Sequence, residues 1–134
     1  MMFVDACAII AILSDEPEAD RISKVLKEAR SPITSPVAIL EVVLALSRPD
    51  KFGLPMSTVE SLVLDFLLER GIEIKDMPPA YETTKLAISA ADRYRAGRYG
   101  LNLGDCLHYA CARHYRVPIL ATADEFKQTD LETV

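Results

Sequence analysis

Several absences limit what this chain of 134 residues can be. No apolar run approaches the roughly 20 residues that a membrane-spanning helix needs. The first residues, MMFVDACAIIAIL, have no positive flank and are interrupted by Asp5. We therefore expect neither a signal peptide nor a membrane as partner.

The chain also lacks a basic excess. Its net charge is −5 and its pI is about 5.0. This argues mildly against a protein coated with positive charge for binding nucleic acid. It does not exclude nucleic acid, because a few acids gathered round a metal ion can dominate the count.

Cysteine is scarce, with only Cys7, Cys106 and Cys111 present. The odd count and the absence of metal-type spacing favour reduced thiols in a cytoplasmic protein. Cys106 and Cys111 are expected on different sides of one helix, so we do not expect them to pair.

The residues that are present predict an α/β fold. Half of them are hydrophobic, and the length suits one domain spanning residues 1–134. Apolar runs predict extended segments at residues 2–4, 32–35, 72–75, 119–122 and 131–134. Helical spacing and end signals predict helices at residues 8–13, 15–29, 36–48, 57–70, 79–95 and 104–115. This alternation predicts a central, mostly parallel sheet of four to five short strands, covered by helices on both faces.

Capping residues refine three of these helices. Ser35 is a suitable N-cap before VAILEVVLAL, a run apolar enough to predict a helix buried on every side. Ser57 and Glu60 have the spacing of a capping box. Asn102 suits the turn that leads into Asp105.

Four acidic residues occupy positions that suit a functional site. Asp5 and Asp124 follow predicted strands, and sites in parallel sheets form at the carboxyl ends of strands. Asp105 lies in the first turn of a helix, and Glu41 lies within VAILEVVLAL. Each of the aspartates has a purely structural alternative as a cap, first-turn charge or turn residue. Glu41 is the hardest to explain structurally, since Arg48 is two helical turns away.

Together the four acids suit a hard divalent cation. Mg²⁺ and Mn²⁺ prefer carboxylate oxygens and water, and such ions support phosphodiester cleavage by activating water. No cluster of His, Cys or Lys offers a comparable metal site. His108 falls one helical turn from Asp105 and could touch the site, although a surface or core histidine is the commoner case.

These motifs resemble the PIN-domain ribonucleases, specifically the VapC-type toxins of bacterial toxin–antitoxin pairs. The resemblance rests on FVDACAIIAIL, SPVAILEVV, GLNLGDCLHYACAR and ILATADEFKQTD, and it covers essentially the whole chain. It implies endonucleolytic cleavage of RNA with Mg²⁺ or Mn²⁺ held by four acids. The corresponding residues here are Asp5, Glu41, Asp105 and Asp124. It also implies a homodimer inhibited by a cognate VapB-type antitoxin.

Two residues near these acids need separate comment. Thr122 could orient a water molecule or a phosphate oxygen, or could be a plain strand-end hydroxyl. Cys7 stands where members of the family usually have serine or threonine, and a thiol is the weaker hydrogen-bond donor. Cys7 could therefore weaken activity, and a catalytically inactive PIN fold that binds RNA or antitoxin is the alternative function.

An arginine-rich segment precedes Asp105 in the sequence. In DRYRAGRYG, arginines can hold phosphates and tyrosines can stack on unpaired bases. The candidate RNA contacts are Arg93, Arg95, Arg98 and Tyr99. The alternative is a solvated helix end whose cations complement the helix dipole.

Two other classes of protein also place acids at strand ends. A phospho-acceptor domain usually has an acidic pair after the first strand and a late lysine, whereas Asp5 stands alone and Lys127 is poorly placed. An aspartate-nucleophile phosphatase usually shows Asp-x-Asp, whereas this chain reads Asp-Ala-Cys. Neither class explains Glu41.

Overall fold

The sheet of the protein is short and entirely parallel. A computed structural model describes residues 1–122 and 124–134. The strands are β1 (Met2–Val4), β2 (Pro32–Thr34), β3 (Glu73–Ile74) and β4 (Ile119–Leu120). They lie in the order β3-β2-β1-β4, and every neighbouring pair is parallel. The predicted last strand is replaced by a single bridge between Ile119 and Thr133.

Helices surround this sheet. They are α1 (Ala6–Leu13), α2 (Ala19–Glu28), α3 (Pro36–Leu46), α4 (Met56–Arg70), α5 (Ala80–Tyr94) and α6 (Leu103–Tyr115). A 3₁₀ turn follows at Glu125–Gln128. Consecutive residues of β1, β2 and β4 are buried, which requires cover on both faces of the sheet. The predicted fold class is confirmed. In the described part of the chain, no helix is long and apolar enough to cross a membrane.

Local backbone chemistry sets where several helices begin. Ser35 accepts a hydrogen bond from the N–H of Ala38 and so caps α3, as predicted. The predicted capping box of Ser57 with Glu60 is wrong, because α4 begins earlier, after Pro55. Ser57 lies inside the first turn of α4, where its carbonyl accepts a hydrogen bond from the Ser61 hydroxyl.

The start of α2 and the burial of α3 also differ from prediction. Asp15 has a φ of 52°, and this left-handed residue delays α2 until Ala19. Helix α3 is not buried on every side, since Leu40 and Leu44 are 57% and 45% exposed. Its other apolar residues fill the core, so α3 is a half-buried helix with an apolar outer stripe.

The parallel register brings the ends of β1 and β4 together. The N–H of Asp5 donates a hydrogen bond to the carbonyl of Leu120, 3.0 Å away. The Thr34 hydroxyl donates to the carbonyl of Val4, 2.9 Å away, and fixes β2 beside the same strand end. The residues that follow β1 and β4 therefore lie at one edge of the sheet, where the acids were expected.

Candidate active site

Asp5 is the most deeply buried acid of the site. It follows β1 directly, caps α1, and is 4% exposed. Its Oδ2 atom accepts hydrogen bonds from the Cys7 N–H at 3.3 Å and from the Cys7 thiol at 2.7 Å. Its Oδ1 atom is buried and has no hydrogen-bond partner among residues 1–122 and 124–134. An unpaired buried carboxylate oxygen is costly, so Asp5 presents an oxygen suited to a cation.

Asp105 faces the same site from the first turn of α6. Asn102 Oδ1 accepts the Asp105 N–H at 2.9 Å, and Asp105 Oδ2 accepts the Asn102 N–H at 3.1 Å. This reciprocal capping box fixes the Asp105 carboxylate. Burial raises the pKa of Asp105 to about 6; the Asn102 hydrogen bond opposes this rise, and the charge of Asp5 adds to it. The effect of Asp5 on this pKa means that the two carboxylates are close enough to repel one another.

Glu41 enters the cleft from α3. Its side chain is 39% exposed, so it is neither a core residue nor a free surface charge. Its Oε1 atom lies 2.9 Å from His108 Nε2. The carboxylate also packs against Gly104, and a Cβ atom placed at Gly104 would lie 2.9 Å from Glu41 Cδ and closer still to Oε1. Position 104 therefore leaves room for the Glu41 carboxylate because it lacks a side chain.

His108 lies at the centre of the site, although the sequence favoured an ordinary structural role. It is fully buried, and its Nε2 atom lies 2.9 Å from Glu41 Oε1 and 3.5 Å from Asp5 Oδ1. Burial lowers the pKa of His108, but the hydrogen bond with Glu41 and the charges of the three acids outweigh it and raise the pKa above its ordinary value. The available signal was its spacing from Asp105, one turn along the same helix.

Cys7 links the two strand ends that form the site. Its sulfur accepts a hydrogen bond from the Thr122 N–H at 3.3 Å while its thiol donates to Asp5. Burial and the Asp5 charge raise the pKa of Cys7 to about 12, so the thiol stays protonated and remains a donor. Thr122 therefore lies at the edge of the site, next to Cys7, rather than remote from it.

Asp124 has a more exposed environment than the other three acids. Its side chain is 56% exposed and forms an ion pair with Lys127 at 2.7 Å. It lines a surface recess that also includes Thr122 and Arg21. The neighbouring Glu125, which the sequence did not single out, is the acid of this segment whose charge raises the pKa of Asp105. A metal-binding role for Asp124 stays a prediction.

The donor chemistry of the cleft fits a hard divalent cation. Asp5, Glu41 and Asp105 come from three different elements, and all three act through charge on His108. Among residues 1–122 and 124–134, however, no three acidic, histidine or cysteine side chains already surround one point as a finished metal site. His108 contacts Glu41 and Asp5 in this arrangement, so the acids are gathered by a histidine.

The candidate RNA contacts have different surroundings. Arg93 lies over the Tyr94 ring and 3.8 Å from Asp130, while Arg98 lies over the Tyr99 ring at 5.4 Å. Arg95 ends α5 and lines an apolar recess of about 260 Å³ between α5 and α6. The segment is exposed and leads into the Asp105 turn, but its contact with RNA stays a prediction.

Comparisons with known proteins agree with this fold. A family model for the PIN domain matches residues 2–130. The chain is similar to a VapC ribonuclease of Mycobacterium bovis and to ribonuclease VapC30 of Mycobacterium tuberculosis. Each is 33% identical over 136 residues, which cover 99% of this chain and 98% of the relative. A VapC ribonuclease of Rhizobium meliloti is 31% identical, with 98% of this chain and 99% of the relative covered.

Solved structures show the same fold. The M. tuberculosis toxin VapC20, described as cleaving the sarcin–ricin loop, has a TM-score of 0.77 at 13% identity, covering 98% of this chain and 96% of that one. A toxin–antitoxin complex from Klebsiella pneumoniae has a TM-score of 0.71 at 14% identity, covering 100% and 96%.

The fold and the acidic cleft thus define a class of protein: a parallel-sheet domain with carboxylates at the strand ends. The chain belongs to the PIN-domain family and groups with its VapC ribonucleases. The family resemblance predicted from the sequence is confirmed.

Proposed function

We propose that this protein is a metal-dependent endoribonuclease and the toxin of a toxin–antitoxin pair. The observation that carries the proposal is the contact of both Asp5 and Glu41 with His108 at the carboxyl edge of the sheet, where the charge of Asp105 also raises the pKa of His108. Three acids from separate elements in one cleft are costly unless they serve a cation. The names of the relatives support the same activity.

Mg²⁺ or Mn²⁺ is the proposed cofactor. Asp5, Glu41 and Asp105 would hold the ion, and Asp124 stays a candidate for completing the site. When bound, such an ion lowers the pKa of a water molecule and stabilises the charge that develops on a phosphate. Carboxylate ligands favour these hard ions over softer metals.

The chain's own residues prepare the cleft for this chemistry. Cys7 and Asn102 each bind one oxygen of an aspartate and fix the direction of the other oxygen. Asp105 must be ionised to act as a ligand, so activity should rise with pH through the pKa of Asp105, which is about 6. Thr122, beside Cys7, could orient a phosphate oxygen or a water molecule.

RNA binding is proposed for the exposed arginine segment. Arg95 and Arg98 would contact phosphates, and Tyr99, which is half exposed, would stack on an unpaired base. Arg93 is partly engaged by Asp130 and is the weaker candidate. These cations would offset the repulsion between RNA and an acidic chain.

The proposed partners are a VapB-type antitoxin and a second copy of the chain. Structures similar in fold include a VapBC2 assembly from Rickettsia felis and the toxin–antitoxin complex from Klebsiella pneumoniae. An antitoxin cation entering the acidic cleft would form charge-assisted hydrogen bonds. Exposed apolar side chains such as Leu40, Leu44 and Leu68 offer surface for these contacts. The proposed compartment is the cytoplasm, which agrees with three free thiols.

The second candidate function is a PIN fold that binds without cutting. The specific observation in its favour is Cys7, a weak donor at the position where the family usually has a hydroxyl. Under this alternative, RNA or antitoxin would bind normally, and added metal would produce no cleavage.

Cleavage of a single-stranded RNA in the presence of Mn²⁺ tests the proposal. Wild type should cleave, and Asp5→Asn and Asp105→Asn should lose at least about a hundredfold in rate. Asp65→Asn, an exposed acid of α4, is the matched control and should cleave normally. Undiminished cleavage by either active-site variant would overturn the assignment, and RNA binding without cleavage by wild type would favour the binding module.

A further inference from the structure

Two residues of α6 form a seat for the Glu41 carboxylate. His108 Nε2 lies 2.9 Å from Glu41 Oε1, and Gly104 leaves the space in which the same carboxylate lies. The two seat residues are four positions apart and therefore lie on one face of the helix. All three of the heavy atoms nearest to a Cβ built at Gly104 belong to the Glu41 carboxylate.

We propose that Gly104 and His108 are positioning residues that hold Glu41 in the cation-binding cleft. The inference rests on the proposed function, because it concerns how one acid of that site is held in place. Glu41 is the acid that needs such help: its side chain is 39% exposed, whereas Asp5 and Asp105 are fixed by Cys7 and Asn102.

The physical reason is the competition between the cleft and water. A glutamate side chain has several rotatable bonds, and an exposed one gains entropy and hydration by leaving two neighbouring carboxylates. The hydrogen bond from His108 opposes that escape, and the gap at Gly104 admits the carboxylate. Such supporting contacts orient metal ligands and commonly change metal affinity when they are removed.

The energetic cost of burying the His108 imidazole supports a positioning role for this residue. Its Nδ1 atom is buried and has no hydrogen-bond partner in the described part of the chain, and its ring centroid lies 5.8 Å from that of Phe3 in the core. An apolar residue would fill this space without an unpaired nitrogen. The contacts with Glu41 and Asp5 are what the imidazole adds at this position.

The test is the affinity for Mn²⁺ alone, measured by titration calorimetry on the whole chain. His108→Leu and Gly104→Ala should each weaken Mn²⁺ binding by about tenfold to a hundredfold. His108→Gln keeps an N–H donor that can reach Glu41 and should restore most of the affinity. His114→Gln, on the same helix but paired with Glu82, is the control and should bind as wild type does.

Thermal unfolding in the presence of EDTA separates positioning from folding. Gly104→Ala replaces a poor helix former with the best one, and the atoms nearest to the added methyl group are the flexible end of Glu41. The metal-free variant should therefore be at least as stable as wild type while binding Mn²⁺ less tightly. His108→Leu should also remain folded, because it exchanges a buried imidazole for an apolar side chain.

Two outcomes would overturn the inference. One is unchanged or tighter Mn²⁺ binding by His108→Leu and Gly104→Ala. The other is equal loss in His108→Gln and His108→Leu, which would mean that the N–H donor is irrelevant. Failure of the proposed function would look different, because wild type itself would then neither bind Mn²⁺ in the cleft nor cleave RNA.

Discussion

The thiol of Cys7 donates a hydrogen bond to Asp5 Oδ2 across 2.7 Å, and its sulfur accepts the N–H of Thr122. Cys7 thus acts as both donor and acceptor at this strand end, as a hydroxyl group can. We therefore expect Cys7→Ser to keep cleavage and Mn²⁺ affinity within about threefold of wild type, and Cys7→Val to lose about tenfold or more. Equal behaviour of the two variants, measured by calorimetry and RNA cleavage, would show that the bond to Asp5 has no role.

Asp105 should make the metal-free protein less stable as the pH rises. The folded state holds the Asp105 proton with a pKa of about 6, against a reference pKa of 3.8. Because the unfolded chain releases this proton first, stability falls between these two values and is highest below them. Two pKa units correspond to about 3 kcal/mol, and we expect roughly half of that because the carboxylate is partly exposed.

Asp105→Asn tests this loss of stability. The substitution removes the titrating carboxyl group, while its carboxamide oxygen can still accept the Asn102 N–H. In EDTA, urea denaturation should find the variant about 1 to 2 kcal/mol more stable than wild type near neutral pH. The difference should vanish at about pH 4 or below. His108 also faces this cleft, and its raised pKa gives a further loss of stability with rising pH, which should be smaller in Asp105→Asn because the Asp105 charge contributes to that raised pKa. Equal stability of the two proteins at neutral pH would contradict the prediction.

The segment after β4 offers a test that separates two adjacent acids. The charge of Glu125 raises the pKa of Asp105, whereas Asp124 is paired with Lys127. Glu125→Gln should therefore lower the pKa of Asp105, and Asp124→Asn should leave it nearly unchanged. NMR titration of the Asp105 side-chain carbon measures both. A shift of the Asp105 titration in Asp124→Asn but not in Glu125→Gln would contradict this prediction.

The exposed arginines should control RNA affinity rather than chemistry. Arg95→Ala and Arg98→Ala should each weaken binding of single-stranded RNA and reduce its salt slope by about 0.7. Binding is best followed by fluorescence anisotropy in the Asp105→Asn background, where we expect RNA to be cut much more slowly. Arg48→Ala, an exposed arginine of a different segment, is the matched control. A salt slope that survives both substitutions would place the RNA contacts elsewhere.

The sequence predicted those parts of the site that depend on local chemistry. Asp5 follows a short apolar strand, and Asp105 lies in a helix turn with Asn102 as its cap, so each could be placed from a few neighbouring residues. The role of His108 could not be seen in this way. Its partner Glu41 is 67 residues away, and their contact depends on how α3 packs against α6. The same packing decides that Leu40 is exposed while Glu41 reaches the cleft.

The hydrogen bonds around the acids also limit how each carboxylate can bind a cation. Asp5, Asp105 and Glu41 each have one oxygen engaged, by Cys7, Asn102 and His108 respectively. A cation bound in the cleft would meet one oxygen of each acid that accepts no hydrogen bond from the residues the structure describes. Ca²⁺ favours larger coordination numbers that include bidentate carboxylates, whereas Mg²⁺ takes an octahedral set of single oxygens. We therefore expect these hydrogen bonds to favour Mg²⁺ over Ca²⁺ as the ion that the cleft binds.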